Sequence, residues 1–189
     1  MEETYFSISY NAAIQIEPAG TATPPDEIEI AGEIPPLFML SDSIEHLDPT
    51  TTKSLKKYGT EFSRLVDQVN SYANKINSIL CYLMHHEIEG KNEYVTDSIS
   101  GGGFSFTAKN SEFQLNSQLK AKIFFPEYAI AVFCYGRITE TDPQTGKIKV
   151  EFSSIREEDR ERMIGIVTRH QQKILRKRAE ERNKNHDNT

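Results

Sequence analysis

The length, composition and charge of this chain exclude several classes of protein before any motif is considered. Its 189 residues, 37% of them hydrophobic, suffice for one domain with or without extensions. The net charge of -6 argues against an indiscriminate nucleic-acid binder, and no apolar run reaches the roughly 20 residues that a membrane-spanning helix requires.

The first 47 residues are predicted to form an N-terminal extension with a proline-rich connector. Alternating apolar residues between Phe6 and Ile16 predict one or two short strands. Prolines, glycines and acidic residues between 18 and 36 indicate an extended connector, and the segment LFMLSDSIEHL after it fits a short helix. The pattern leaves open whether the extension adds strands to a barrel or braces a helical bundle.

A long helix is predicted over residues 48–88. Asp48 and Pro49 form a helix-start signal, because Asp is a favourable N-cap and Pro fits the first helical position. Apolar residues then recur at alternating spacings of three and four, which is the seam pattern of a coiled coil. The seam residues are Leu55, Tyr58, Phe62, Leu65, Val69, Tyr72, Ile76, Ile79 and Leu83. We expect this seam to be an oligomer interface.

A second row of residues beside the seam widens the apolar stripe. It contains Gly59, Val66, Ala73 and Leu80, at positions where a two-stranded coiled coil usually has charge. The width of the stripe favours a bundle of more than two helices. The alternative is that the helix packs on its own domain, although a small domain rarely covers so long a seam.

The chain changes to a β pattern from residue 92 onward. Five segments are apolar or alternate with a period of two, namely NEYVTDS, GFSFTA, QLKAKIFFP, AIAVFCYGRI and KIKVEF. The DPQTG segment before the last of them has turn chemistry. Five strands joined by short turns predict an antiparallel sheet or a small barrel.

A C-terminal helix is predicted to complete this domain, which would span residues 89–183. Ser154 and Glu157 have the spacing of a capping box, and apolar residues follow at helical spacing. The basic cluster KILRKR suits the negative end of the helix dipole, so a solvated helix end explains it better than a nucleic-acid site. Residues 184–189 are polar and are predicted to be disordered.

The sequence contains no pattern for catalysis or for metal binding. Walker and Rossmann glycine patterns are absent, and no local signature of a Ser-His-Asp site occurs. His85 and His86 are adjacent, so they point to different faces of a helix and cannot chelate one metal together. Cys81 and Cys134 fit no metal or redox spacing, and the N-terminus lacks the regions of a signal peptide. We therefore expect a non-enzymatic, cytoplasmic protein with no catalytic residues, metal or cofactor.

The loop SISGGG gives the chain its resemblance to a known family. The order of strand, glycine loop, further strands and closing helix resembles the PilZ domain, a small bacterial six-stranded barrel that acts as a receptor for cyclic di-GMP. In that family the loop has the form Asp/Asn-x-Ser-x-x-Gly, and here the frame runs from Ser98 to Gly103, with Asp97 one residue early. The segments CYGRI and KVEFSSIREEDRERMIGIV resemble later parts of the family, over about residues 85–175 in all.

The resemblance implies a binding site for cyclic di-GMP at this loop. The residues implied in ligand contact are Ser98, Ser100, Gly103 and Arg137. Lys91 or a neighbouring subunit would add positive charge. The family's upstream Arg-x-x-x-Arg segment, whose planar cations hold phosphates and stack on guanine, is absent, because no arginine lies between Arg64 and Arg137.

The heptad seam resembles an atypical PilZ branch that assembles as tetramers through a helical bundle. This resemblance implies a mainly β fold with helices: a small antiparallel barrel, a long heptad-repeat helix before it and a C-terminal helix. It also implies a homotetramer that controls motility, pili or virulence through protein partners. Three hypotheses remain: a receptor or adaptor of cyclic di-GMP signalling, an oligomeric PilZ-like scaffold whose glycines only shape a turn, and an unrelated small barrel.

Overall fold

The computed structural model describes residues 5–20, 23–42, 54–55, 57–88, 93–108 and 113–186. The strands in these ranges are β1 (Ile8–Ser9), β2 (Ala13–Gly20), β3 (Glu93–Ser100), β4 (Gly103–Thr107), β5 (Gln118–Phe125), β6 (Ile130–Thr141) and β7 (Lys147–Ile155). The helices are α1 (Glu27–Glu33), α2 (Pro36–Asp42), α3 (Thr60–Ile88) and α4 (Glu157–His186). Within these described ranges, no helix combines the length and apolar character that crossing a membrane requires.

Six of the described strands close into an antiparallel barrel. Neighbouring strands follow the order β3-β2-β5-β6-β7-β4, and β4 pairs back onto β3. β1 is an additional strand that pairs with β3, with Ile8 opposite Ile99. The predicted small barrel is confirmed. Its strand β2 comes from the N-terminal extension, so that segment is part of the barrel itself.

Alternation along the strands explains how the barrel encloses a core. In β7, Ile148 and Val150 are buried whereas Lys147 and Lys149 are exposed, because successive side chains of a strand point to opposite faces. Residues with the same inward alternation in the other strands complete the core. These include Ile14, Ile16, Ile99, Phe106, Leu119, Ile123, Phe125, Val132 and Ile138. Helix α4 packs Met163, Ile166 and Val167 against them.

A second apolar cluster joins the helices to the opposite face of β5 and β6. Its members are Ile30, Ile34, Phe38, Leu80, Met84, Phe124, Ala129, Ala131, Phe133 and Tyr135. The Phe38 and Phe124 rings lie 5.4 Å apart, in an edge-to-face arrangement that aromatic pairs favour. Because Leu80 and Met84 lie near the end of α3, this part of the long helix is fixed to the barrel.

A charged contact at the end of α1 strengthens the same attachment. One carboxylate oxygen of Glu33 accepts hydrogen bonds from Lys120 Nζ at 2.6 Å and from the Tyr135 hydroxyl at 2.7 Å. The hydrogen bond from Lys120 is the main reason why the pKa of Glu33 is lowered, and Glu33 in turn raises the pKa of Lys120. The contact therefore ties α1 to two barrel strands while both charges are present.

The connector predicted as extended contains helix α1, because a capping box starts that helix. The Glu29 amide donates to Asp26 Oδ1 at 2.8 Å, and the Asp26 amide donates to Glu29 Oε2 at 3.3 Å. The prediction of an extended connector is wrong at this point. Prolines and glycines dominate the composition, whereas the Asp-x-x-Glu spacing decides the local structure.

The long helix begins later than predicted. The sequence predicts a start at residue 48, but α3 begins at Thr60. The residue before it, Gly59, has a φ of 115°, which is a left-handed value that an α-helix does not contain. The Asp48-Pro49 signal lies outside the described residues. Leu55 and Tyr58 therefore precede α3, and the helical part of the seam runs from Phe62 to Leu83.

Both predicted ends of the C-terminal helix also differ from the structure. Ser154 is not its N-cap, because it lies within β7 opposite Tyr135 of β6. Helix α4 begins at Glu157, and an ion pair of 2.7 Å between Arg156 and Asp159 holds its first turn. The helix continues to His186, so residues 184–186 of the predicted disordered tail are helical. Residues 187–189 lie outside the described residues.

Candidate functional site

The loop implied in ligand binding borders a groove on the barrel. Gly101 and Gly102 form the turn between β3 and β4. A groove of about 930 Å³, here called the loop groove, lies between this turn, β7 and α4. The residues that matter most among those lining it are Ser98, Ser100, Gly103, Lys147, Lys149 and Arg160. The structure therefore brings three of the four predicted ligand contacts to one place.

Ser100 holds the loop in shape through its own hydroxyl group. Its Oγ accepts hydrogen bonds from the Gly103 amide at 3.1 Å and from the Gly102 amide at 3.2 Å. It also lies 3.1 Å from the Gly103 carbonyl oxygen, to which it can donate. The Ser-x-x-Gly spacing thus has a local structural reason, since the hydroxyl reaches the amides of the following turn.

Ser98 also has a partner within the chain. Its Oγ lies 2.7 Å from Ser105 Oγ on the adjacent strand β4. A hydroxyl has one donor and two acceptor positions, so Ser98 can still share a hydrogen bond with a ligand. The two predicted serines consequently line the loop groove with hydroxyls that are oriented by the protein.

Asp97 does not replace the acid or amide that the family has at the position of Ser98. The register between β3 and β4 shifts between Thr96 and Ser98, so Asp97 is the extra residue of a β-bulge. Its Oδ2 accepts a hydrogen bond of 2.9 Å from the Thr107 hydroxyl, and Asp97 is not among the lining residues of the loop groove. The one-residue offset in the sequence is therefore a real displacement in the structure.

Close approach, not positive φ, explains the three consecutive glycines. None of them belongs to the glycines with left-handed φ values in the described chain. A Cβ at Gly103 would lie 2.0 Å from the Val150 carbonyl oxygen, so the pairing of β4 with β7 requires glycine. A Cβ at Gly101 or Gly102 would lie 2.6 or 2.8 Å from the ring of Tyr5. The glycines therefore make room for a strand and for an aromatic ring.

Tyr5 and Arg160 cover the loop, and neither residue is among the ligand contacts predicted from the sequence. Arg160 Nη1 donates a hydrogen bond of 2.9 Å to the Gly101 carbonyl oxygen. Its guanidinium carbon lies 5.8 Å from the centroid of the Tyr5 ring, within the range of a cation–π contact. Helical spacing from the buried Met163 and Val167 could have placed Arg160 on the face toward the barrel. Nothing in the sequence links Tyr5 to the glycines.

Acidic and basic side chains balance each other around the loop groove. The lining contains three basic residues and three acidic residues. These are Lys147, Lys149 and Arg160, and Glu140, Asp142 and Glu151. Lys149 Nζ donates to Glu140 at 2.8 Å. That hydrogen bond raises the pKa of Lys149 and lowers the pKa of Glu140. A dianionic ligand would therefore meet a positive charge that is already paired.

Arg137 lies apart from the other three predicted contacts. It is exposed on β6, where its register neighbours are Gln118 of β5 and Glu151 of β7, and it is not among the lining residues of the loop groove. Lys91 lies outside the described residues. The structure thus groups Ser98, Ser100 and Gly103 without Arg137, and the ligand roles of all four stay predictions.

The predicted seam forms an exposed apolar face along the long helix, together with Tyr58 just before it. Eight seam residues are 41% to 74% exposed, namely Tyr58, Phe62, Leu65, Val69, Tyr72, Ile76, Ile79 and Leu83. We call this surface the seam face. Leu80 and Met84, which lie beside it, are buried in the cluster with α1, α2 and the barrel. The helix therefore packs on its own domain through one edge and leaves the seam itself open.

A family model matches most of the barrel. The PilZ domain model matches residues 78–169. The match covers the end of α3, strands β3 to β7 and the first part of α4, but not β2, which the structure places between β3 and β5. No curated protein matches the sequence of the chain.

Two solved structures are similar to this chain. A protein from Xanthomonas campestris matches with a TM-score of 0.52 and 9% identity, over 92% of each chain. It is described as a pathogenic protein with a new tetrameric PilZ domain self-assembled via an unusual helical bundle. The Bacillus subtilis inhibitor of motility matches with a TM-score of 0.48 and 13% identity, over 92% of this chain and 53% of that one. The chain thus spans about half the length of the second protein. The likeness to the Xanthomonas campestris protein shows a similar fold.

Proposed function

Because this chain carries a PilZ domain over residues 78–169, we propose that it is a non-enzymatic regulatory protein of cyclic di-GMP signalling. It acts in the bacterial cytoplasm as a receptor or adaptor. It binds the nucleotide in the loop groove and passes the change to protein partners that control motility, pili or virulence.

The observation that carries this proposal is the coincidence of motif and groove. Ser98, Ser100 and Gly103, the positions that match the family loop, all border the same concave surface. Its volume of about 930 Å³ lies within the range of small-molecule sites. Oriented hydroxyls and backbone groups at one edge of such a groove suit a ligand with many hydrogen-bonding atoms, such as a cyclic dinucleotide.

The protein works as a homotetramer that assembles through the seam face. Eight large apolar side chains in a continuous stripe are unusual on a monomer, because contiguous apolar surface of this kind generally marks an interface. The spacing of three and four supports helix-to-helix packing as the mode of assembly. The Xanthomonas campestris protein, which shares the fold and is described as assembling through a helical bundle, supports the same arrangement.

A second candidate function is an oligomeric scaffold that does not bind the nucleotide. The balance of charges around the loop groove favours it, since Lys149 is already paired with Glu140. The absence of arginine between Arg64 and Arg137 favours it as well. In this case the seam face retains its role and the loop groove has none.

Calorimetric titration with cyclic di-GMP at low salt separates the two candidates. We expect wild-type protein to bind and Ser100→Ala to bind more weakly, because the hydroxyl that shapes the loop is lost. Ser117→Ala is the matched control, since Ser117 makes a similar turn hydrogen bond of 2.7 Å to Gln114 outside the loop groove. No heat at protein concentrations of tens of micromolar would leave the scaffold as the function.

Light scattering tests the assembly independently of the nucleotide. We expect a tetramer in the wild type and a smaller species in the double variant Phe62→Asp plus Val69→Asp, which places charges on the seam face. The control is Ser71→Asp plus Ser78→Asp, which adds the same charge to exposed positions of the same helix away from the seam. A monomeric wild type, or a control that dissociates equally, would contradict the proposed interface.

A further inference from the structure

The surface beneath Tyr5 has the shape of a stacking site. Gly101 and Gly102 present backbone without side chains, and a Cβ at either position would lie within 2.8 Å of atoms of the Tyr5 ring. The Arg160 guanidinium is fixed beside them by its hydrogen bond to the Gly101 carbonyl. Together these groups form a strip of backbone without side chains next to a planar cation. Both features favour an aromatic ring.

The ring that lies there belongs to the N-terminal arm that precedes β1. Tyr5, Phe6 and Ser7 precede β1 and take part in no strand pairing. Phe6, the next residue, is 59% exposed. The arm can therefore leave the strip without breaking a strand of the barrel, since its backbone contributes nothing to the ladder.

We propose that Gly101, Gly102 and Arg160 form a stacking site for a planar purine base, and that Tyr5 of the same chain occupies this site until such a base displaces it. The site lies at the edge of the loop groove, which Tyr5 and Arg160 both line. This proposal rests on the proposed function, because it assigns the base-binding part of the same groove.

The chemistry of the site favours a purine nucleotide over a purely apolar ring. A guanidinium group stacks on an aromatic face and can donate to phosphate from its edge. Arg160 supplies this group from α4, whereas the described chain has no arginine upstream of the loop after Arg64. An exchange of Tyr5 for a base would keep the stacking contact and add a charge-assisted hydrogen bond to the ligand.

Tryptophan fluorescence tests whether Tyr5 occupies the site. The chain contains no tryptophan, so Tyr5→Trp introduces a single probe, and Phe6→Trp places the same probe at the exposed neighbouring residue. We expect the probe at position 5 to be quenched by acrylamide at least about threefold less than the probe at position 6, because stacking shields it. Equal quenching at the two positions would overturn the proposal.

A second substitution shows whether the strip causes this protection. Gly102→Ala adds a methyl group where the ring lies, and Gly102 has no left-handed φ that alanine would strain. Combined with Tyr5→Trp, it should make the probe as accessible as the probe at position 6. A probe that stays protected would place the ring elsewhere and overturn the proposal.

Calorimetry with cyclic di-GMP tests the exchange and does not depend on how well tryptophan fits. Tyr5→Ala should bind the nucleotide about tenfold more tightly than the wild type if the ring covers the site nine-tenths of the time. Tyr5→Phe, which keeps a ring, should bind like the wild type. Arg160→Ala should bind at least about tenfold more weakly, because a charge-assisted hydrogen bond is lost.

The outcomes separate this proposal from the proposed function. If the wild type gave no binding heat and Tyr5→Ala bound the nucleotide, the stacking site would be supported. This result would also show that Tyr5 prevents the native chain from binding the nucleotide. Wild-type binding that neither Tyr5→Ala nor Arg160→Ala changes would support the proposed function and overturn the stacking site. No heat from any of the four proteins would overturn both the site and nucleotide binding, whereas the assembly would be unaffected.

Discussion

The seam face and the loop groove are the two surfaces to which the sequence assigns a function, and the fold leaves them in opposite states. The seam residues on α3 stay 41% to 59% exposed. The loop groove is partly covered from within, because Tyr5 lies on Gly101 and Gly102 and Arg160 is bonded to Gly101. Among the described residues, the seam face has no covering partner, whereas the loop groove already has one in Tyr5.

The difference shows that a functional pattern and an available surface are separate properties. The heptad pattern specifies an apolar stripe, and its edge at Leu80 and Met84 packs on the described part of its own domain. The glycine pattern specifies a loop that accepts close neighbours, and the chain supplies the first of them itself. Experiments can therefore disturb each state separately, beginning with the closed region.

Asp159→Ala should have the largest effect, because it removes the charge that anchors the start of α4. The Asp159 side chain is fully buried, and its Oδ2 lies 2.7 Å from Arg156 Nε. We expect a loss of about 3 kcal/mol in the free energy of unfolding, since breaking a buried ion pair leaves its partner uncompensated. Urea unfolding measures the loss. Glu158→Ala, which removes a largely exposed carboxylate 3.8 Å from the same arginine, should cost less than about 0.5 kcal/mol.

Gly103→Ala should rank second and distinguishes the two reasons for glycine in the loop. The added Cβ would meet the backbone carbonyl of Val150 at 2.0 Å, so β4 and β7 must separate. We expect a loss of about 1–3 kcal/mol, as for other overpacked sites. Gly102→Ala should cost much less, because the Tyr5 side chain can move away. Equal losses in urea unfolding would show that Tyr5 is as rigid as the strand.

Much of the fold follows from periodicity that the sequence displays. Strands β3 to β7 and the seam were predicted because period-two and three-four patterns depend only on neighbouring residues. The position of β2 between β3 and β5 could not be predicted, because pairing between distant segments leaves no local signal. The helix α1 was missed for another reason, since the capping signal of Asp26 and Glu29 lies in a proline-rich stretch.

In the candidate site too, residues close in the sequence were predictable, whereas residues brought together by the fold were not. Ser100 and Gly103 are predictable because the loop closes on itself: the Ser100 hydroxyl accepts from the Gly103 amide and donates to the Gly103 carbonyl oxygen, which reflects the spacing of the motif. Arg137 is the first arginine after the loop in the sequence, whereas the fold brings Arg160 to the loop instead. Tyr5 meets the glycines only after the barrel closes, so no local pattern could reveal it.

The third prediction concerns the open surface and compares two neighbouring residues of α3. Ile76 is exposed on the seam face, whereas Leu80, one turn later, is buried in the chain's own cluster. The melting temperature of the wild type should rise with protein concentration, because association stabilises the folded state. Each tenfold rise in protein concentration adds about 1.4 kcal/mol for each subunit that associates. Ile76→Ser should weaken this dependence without lowering the stability of the dilute protein.

Leu80→Ser should do the reverse and lower the melting temperature at every concentration, because it leaves a polar group and a cavity in the inner cluster. Differential scanning calorimetry over a roughly hundredfold range of protein concentration gives the dependence of melting temperature on concentration for both variants. If the two variants behaved alike, the edge of α3 and its seam would form one surface, and the distinction between them would fail.

The smallest expected effect is a pH dependence at the contact between α1 and the barrel. The hydrogen bonds from Lys120 and Tyr135 lower the pKa of Glu33 below its ordinary value of about 4.5. A carboxylate whose pKa is lower in the folded state stabilises the fold above its unfolded pKa, and this contribution is lost as the pH falls through the folded pKa. Since Lys120 and Glu33 keep 35% and 42% of their side-chain exposure, we expect less than about 1 kcal/mol. Glu33→Gln should therefore be less stable than the wild type in urea at neutral pH and should match it in acid. A difference that stayed constant over that range would mean that the charge of Glu33 adds nothing, and that apolar packing alone holds α1 to the barrel.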